Sequence, residues 1–234
     1  MYSMADPIII NQIETVSRPL KSWISLLFCI IDSPDCREVL FSVLGKRLVL
    51  PILQPYYVYV DPSFIDMPSF SSLYGTAFAS EEEQVPPQRV LQGDALDKIG
   101  SWSEIYNCAT FDAWIANRDR LPNNILFSGV SGYWLIDHEE ALPNGVTSKQ
   151  AVGTQLAREI SGQDRDDLRI RRNRDAMLRF INRALAIDWD EIRLAMRLQE
   201  VKEIEDLCNQ HIQVLQRRLP NIREIISSDL GIAQ

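Results

Sequence analysis

The chain has 234 residues, 46% of them hydrophobic, enough apolar material for one sizeable core or two small lobes. Its 24 Lys and Arg stand against 32 Asp and Glu, a formal charge of -8, so nucleic-acid binding through general phosphate neutralisation is not expected of the chain by itself. Cys29, Cys36, Cys108 and Cys208 are scattered and the histidines are His138 and His211 alone, which argues against zinc and disulfide frameworks; with no basic-then-apolar leader and no apolar run longer than Trp23 to Ile31, a cytoplasmic, membrane-free protein is expected.

In chain order, Pro7 to Ile13 and Ile24 to Ile31 read as strands, the second closed by Asp32-Ser33-Pro34-Asp35. Arg37 to Leu48 places Val39, Leu40, Val43 and Leu44 on one helical face and is followed by a break at Pro51. Tyr56 to Val60 is a short β-rich run, and Pro62 to Pro87, rich in Ser, Pro, Phe and acids, reads as an irregular connection or lid. Ser101 with Glu104 has the spacing of a capping box, predicting a helix from Ser101 to Asn117. Asn124 to Phe127 and Tyr133 to Ile136, separated by S-G-V-S-G, predict a β-hairpin. Lys149 to Ile160, Asp166 to Leu185, Asp190 to Arg197, Val201 to Arg218 and Pro220 to Ser228 all read as helices. The division predicted is 1–62 and 63–234.

The chemistry concentrates in F-D-A-W-I-A-N-R-D-R-L-P-N-N-I-L-F, Phe111 to Phe127, and Y-W-L-I-D-H, Tyr133 to His138. Asp119 and Asn124 stand five positions apart, and Asp137 ends the second hairpin strand, so three oxygen-bearing groups are expected to converge at one end of the hairpin. Phosphoryl transfer uses such a set: an Asp that orients or deprotonates the attacking hydroxyl, and an Asn and a second Asp that hold magnesium on the phosphates. Asp and Asn are also frequent in turns, where they bond their own backbone, so the spacing by itself leaves a solvated turn open.

The N-R-D-R-x-x-N-N-I-L run followed by W-L-I-D-H resembles the HipA-like kinases and, more distantly, the phosphatidylinositol kinases; Arg37 to Val60 is similar to the helix and following strand of that family's first lobe. The resemblance implies an α+β, two-lobed, protein-kinase-like fold, with a reduced N-terminal β lobe and a mainly helical C-terminal lobe. It implies transfer from ATP with Mg2+ to Ser or Thr of a protein substrate, with Asp119 as base and Asn124 and Asp137 as metal ligands. Several such kinases act as toxins, so an antitoxin or a complementing subunit is an expected partner. The family's nucleotide contacts include a Gly-rich loop and a strand lysine paired with a helix glutamate. Glu38 is the helix glutamate and Lys21 the lysine that can reach the site. No glycine precedes Gly45 and Phe28 to Asp35 holds no lysine, so a pseudokinase or partner-binding subunit is the alternative.

Other features read more simply. Arg165 to Arg183 carries seven arginines interleaved with acids and reads as a solvated helix face before a phosphate- or antitoxin-binding patch. Trp102, Trp114 and Trp134 read as core, and His138 as a hydrogen-bonding neighbour of Asp137 before a proton relay.

Overall fold

A computed structural model describes residues 29–30, 36–52, 54–60, 73–79, 88–89, 99, 102–120, 124–127, 133–161, 167–200 and 202–229. The architecture is α+β and mainly helical. The strand expected at Pro7 to Ile13, most of the one at Ile24 to Ile31, and Lys21 lie outside the described residues.

Helix α1, Arg37–Arg47, forms where the apolar spacing predicts it and buries Val39, Leu40, Phe41, Val43 and Leu44. Its end is a Schellman motif: Leu50 N–H reaches Gly45 O at 2.9 Å and Val49 N–H reaches Lys46 O at 3.0 Å, with Val49 left-handed at φ 61°. Gly45 leaves room for Ile52: a Cβ there would stand 2.1 Å from Ile52 Cδ1, so a larger residue would force that buried side chain to shift.

Strands β1 (Cys29–Ile30), β2 (Gln54–Val60) and β3 (Leu73–Ala79) form an antiparallel sheet in the order β1-β3-β2. β3 pairs with β2 along its whole length, Tyr57 opposite Thr76. It falls inside the stretch read as an irregular connection, where surrounding Ser and Pro obscure a seven-residue run of strand. A second antiparallel sheet orders β4 (Gln88–Arg89), β5 (Ile125–Phe127) and β6 (Tyr133–Leu135); β5 and β6 are the expected hairpin, Leu126 opposite Trp134. The segment leaving α1 docks on this hairpin: Leu135 N–H donates to Pro51 O at 2.9 Å, beside a parallel bridge of Ile52 with Leu135.

Helix α2, Ile105–Trp114, is shorter than the capping-box spacing predicts. Ser101 lies outside the described residues, and Glu104 occupies the cap position with its carboxylate accepting from Asn107 Nδ2 at 2.7 Å. Helices α3 (Gln155–Ser161), α4 (Asp167–Leu185), α5 (Trp189–Ala195), α6 (Glu205–Arg218) and α7 (Ile222–Asp229) complete the helical part. One continuous core runs from Cys36 and Leu40 through Phe111 and Trp114 to Phe180, Ile212 and Ile226, so α1 and the later helices share it. Trp114 is wholly buried, whereas Trp102 is packed against this core from its edge. Arg218, also buried, donates to the carbonyls of Ala113, Trp114, Thr147 and Gln150 at 2.6–3.1 Å, tying the end of α2 to the loop before α3. Among the described residues no helix is long and apolar enough to cross a membrane.

Candidate active site

The loop that carries Asp119 is launched by the way α2 ends. Asn117 N–H bonds Asp112 O at 2.9 Å and Ala116 N–H bonds Ala113 O at 3.3 Å, with Ala116 left-handed at φ 55°. This second Schellman motif turns the chain sharply out of the helix. Asn117 Oδ1 then accepts the Asp119 N–H at 2.9 Å, an Asx turn that presents a half-buried Asp119.

Arg120 is the hub. Its side chain is fully buried and makes a two-pronged ion pair with the equally buried Asp112, Nε to Oδ2 and Nη2 to Oδ1 each at 3.1 Å. Burial is the largest influence and would weaken its protonation, but Asp112 and Glu38 together outweigh it and hold the guanidinium more firmly protonated than usual. Its Nη1 donates to Asn124 O at 3.2 Å and to Ile136 O. One guanidinium therefore fixes the end of α2, the start of β5 and the residue before Asp137.

Around that hub Asp119 and Asn124 are hydrogen-bonded to each other, and Asp137 is tied to Asn124 through its neighbour Ile136. Asn124, 7% exposed, donates from Nδ2 to Asp119 O at 2.6 Å and to Asp119 Oδ2 at 3.1 Å. Ile136 N–H returns to Asn124 O at 3.2 Å, setting Asp137 next to the Asn124 end of the hairpin. Asp137 is left-handed at φ 63° and half-buried. Burial pushes its carboxyl above the ordinary range, and the carboxylates of Glu139 and Glu38 push it further, against the pull of Arg120 and His138.

Glu38 also reaches this region. Its Oε2 accepts from the His138 main-chain N–H and its Oε1 meets His138 Nδ1 at 3.0 Å. The imidazole lies near Phe41 and Phe111, with ring centroids 6.4 and 6.1 Å away, and is shut off from solvent. The described arginines of the basic stretch behave as a helix surface: Arg174 and Arg179 are exposed, and Arg183 lies over the Phe180 ring.

Sequence reasoning missed Arg120, Asp112 and Asn117 as parts of the site. Their signal was the F-D-A-W-I-A-N-R-D-R run itself: Asp112 stands eight positions before Arg120, and only a helix end followed by a tight reversal brings them together.

The donor set suits a hard cation. Asn124 and Asp137 offer oxygens, and with Nδ2 of Asn124 used on Asp119 the carbonyl end of that amide is the part suited to a metal. Asp137, crowded by other carboxylates, is where a cation would relieve repulsion. Among the described residues no three His, Cys, Asp or Glu side chains cluster as a metal cage. Magnesium held by one or two side chains together with substrate phosphates is the mode that this sparse set fits.

A loop Asp cross-tied to an Asn five positions on, with a second Asp just past a hairpin strand, has the residue types and spacing that kinase-type phosphoryl transfer uses. The family model described as HipA-like kinase matches residues 32–226, most of the chain, and the protein belongs to that family of kinase-like phosphotransferases. No curated protein and no solved structure matches the chain.

Proposed function

We propose that the protein transfers phosphate from ATP to a Ser or Thr hydroxyl of a protein substrate, with Asp119 as the base and Asn124 and Asp137 as the magnesium ligands. The observation that carries this reading is the Arg120 hub, which organises the residues flanking all three oxygen-bearing groups. Bound Mg2+ neutralises charge on the phosphates. Asp119, steadied by Asn124 Nδ2 and by the Asn117 turn, accepts the hydroxyl proton. Asn124, just before β5, and Asp137, just after β6, would hold the cation from the same end of the hairpin.

The same proposal takes a first lobe and a helical second lobe, the boundary expected after residue 62 moving past β3 because that strand pairs with β1 and β2, with Lys21 reaching the nucleotide and an antitoxin or complementing subunit as partner. The test is transfer of radiolabelled phosphate from ATP and Mg2+ to the chain itself or to proteins of a cell lysate. Asp119→Ala should reduce transfer about a hundredfold or more. Equal transfer by both proteins, at background, would defeat the reading.

One observation favours a second reading, a nucleotide-binding pseudokinase. Both oxygens of Glu38, the helix glutamate that would pair with a lysine, are engaged by His138. That reading expects Mg-ATP to raise the melting temperature of the wild type, but not of Asn124→Ala, with no transfer by either protein.

A further inference from the structure

A buried carboxylate is costly unless both of its oxygens find partners. Glu38, 3% exposed, places both on a single residue, one on the main-chain N–H of His138 and one on its ring. His138 directly follows Asp137. On the other side of Asp137, Ile136 is held at both main-chain polar groups, its N–H by Asn124 O and its carbonyl by Arg120. Asp137 thus lies between two clamped residues, in the left-handed region, which Asp enters more readily than most non-glycine residues and in which the bonds on either side of it hold this one.

We infer that Glu38 is a positioning residue: its double grip on His138 sets the left-handed backbone of Asp137 and thereby aims that carboxylate at the metal. The inference rests on the phosphoryl-transfer reading for the role of Asp137. Glu38 belongs to α1, whose neighbouring Arg37 also donates to Ala141 O at 3.2 Å, so the seating of this helix reaches the metal ligand through the main chain on both sides of His138. The ring contributes through Nδ1. Its Nε2 is buried and has no hydrogen-bond partner among the described residues, so the imidazole's one polar link is the Nδ1 contact to Glu38, from which it orients the neighbouring Asp137. Partners behind a ligand commonly set metal affinity by roughly 10–100-fold.

The experiment is Mn2+ titration of the full chain with a non-hydrolysable ATP analogue, free Mn2+ being read by electron paramagnetic resonance well below the melting temperature of each variant. Glu38→Gln should weaken Mn2+ binding roughly tenfold or more. Because losing a negative charge at position 38 itself weakens cation binding, the decisive pair is His138→Ala and His138→Asn, which both keep Glu38. His138→Ala should weaken Mn2+ binding, and His138→Asn, whose side-chain amide can donate in place of Nδ1–H, should restore it. Equal Mn2+ affinity in His138→Ala, His138→Asn and wild type, with Asp137→Asn still losing the ion, would overturn the positioning role and leave the metal site standing. Unchanged Mn2+ affinity in Asp137→Asn would overturn the metal site and this inference with it. If Glu38→Gln fails to fold, the two His138 variants decide alone.

Discussion

Arg120 shows how a residue that reads as a loop cation becomes a structural centre. Both it and Asp112 are withdrawn from water, and the ion pair is tolerable because the remaining N–H groups find the carbonyls of Asn124 and Ile136. Removing one partner strands the other. Asp112→Ala should therefore cost about 3–5 kcal/mol of unfolding free energy, measured by urea denaturation, with transfer activity falling further because Asp119 and Asn124 lose their common anchor. An exposed ion pair such as Lys149 with Glu224, 3.9 Å apart, gives the contrast: its removal should cost no more than about 1 kcal/mol. That Asp119, Asn124 and Asp137 come together near one end of the hairpin was legible in their spacing along the sequence. Arg120 was not, because a D-R dipeptide says nothing about which way the guanidinium points or whether water reaches it.

At the scale of elements, local pattern predicted most helices and tertiary bonds displaced some of their ends. Lys149 to Thr154 has helical periodicity but is not helical: the carbonyls of Thr147 and Gln150 go to the Arg218 guanidinium, and Gly153 is left-handed at φ 69°. Burial pushes Arg218 down to about 10, still protonated at neutral pH, so the staple persists under ordinary conditions. Strand β3 was hidden by its neighbours, whereas the hairpin was legible because its two apolar runs alternate around a Gly-containing loop. Helix ends offer a test. Val49 closes the first Schellman motif from the left-handed region, although it is β-branched and 70% exposed. Val49→Gly should relieve that strain at no cost in burial and raise stability by about 1 kcal/mol, seen as a higher urea midpoint with an unchanged slope.

For the whole molecule, acid sensitivity follows from Glu38. Burial pushes its carboxyl up, but the His138 ring, the His138 N–H and Arg120 outweigh burial and hold it below its ordinary value of 4.5. The folded protein then binds fewer protons at this group than the unfolded chain does. Its contribution is present above pH 4.5 and is lost as pH falls through the lower, folded value. Unfolding free energies measured between about pH 5.5 and 3.5 should accordingly fall less steeply in Glu38→Gln than in the wild type; equal slopes would show that the pair carries no such linkage.

The shared core sets one further condition on the molecule. Phe41 and Leu44 of α1 are walled in by residues far along the chain, and Phe41 closes one side of the His138 ring. A fragment starting at residue 63 would lack that wall, leaving Phe111 and His138 open to water and the backbone beside Asp137 unsupported. The opening segment is thus not a cassette that recombination could exchange freely: a replacement would need a helix with the same aromatic knob and the same carboxylate one turn before it.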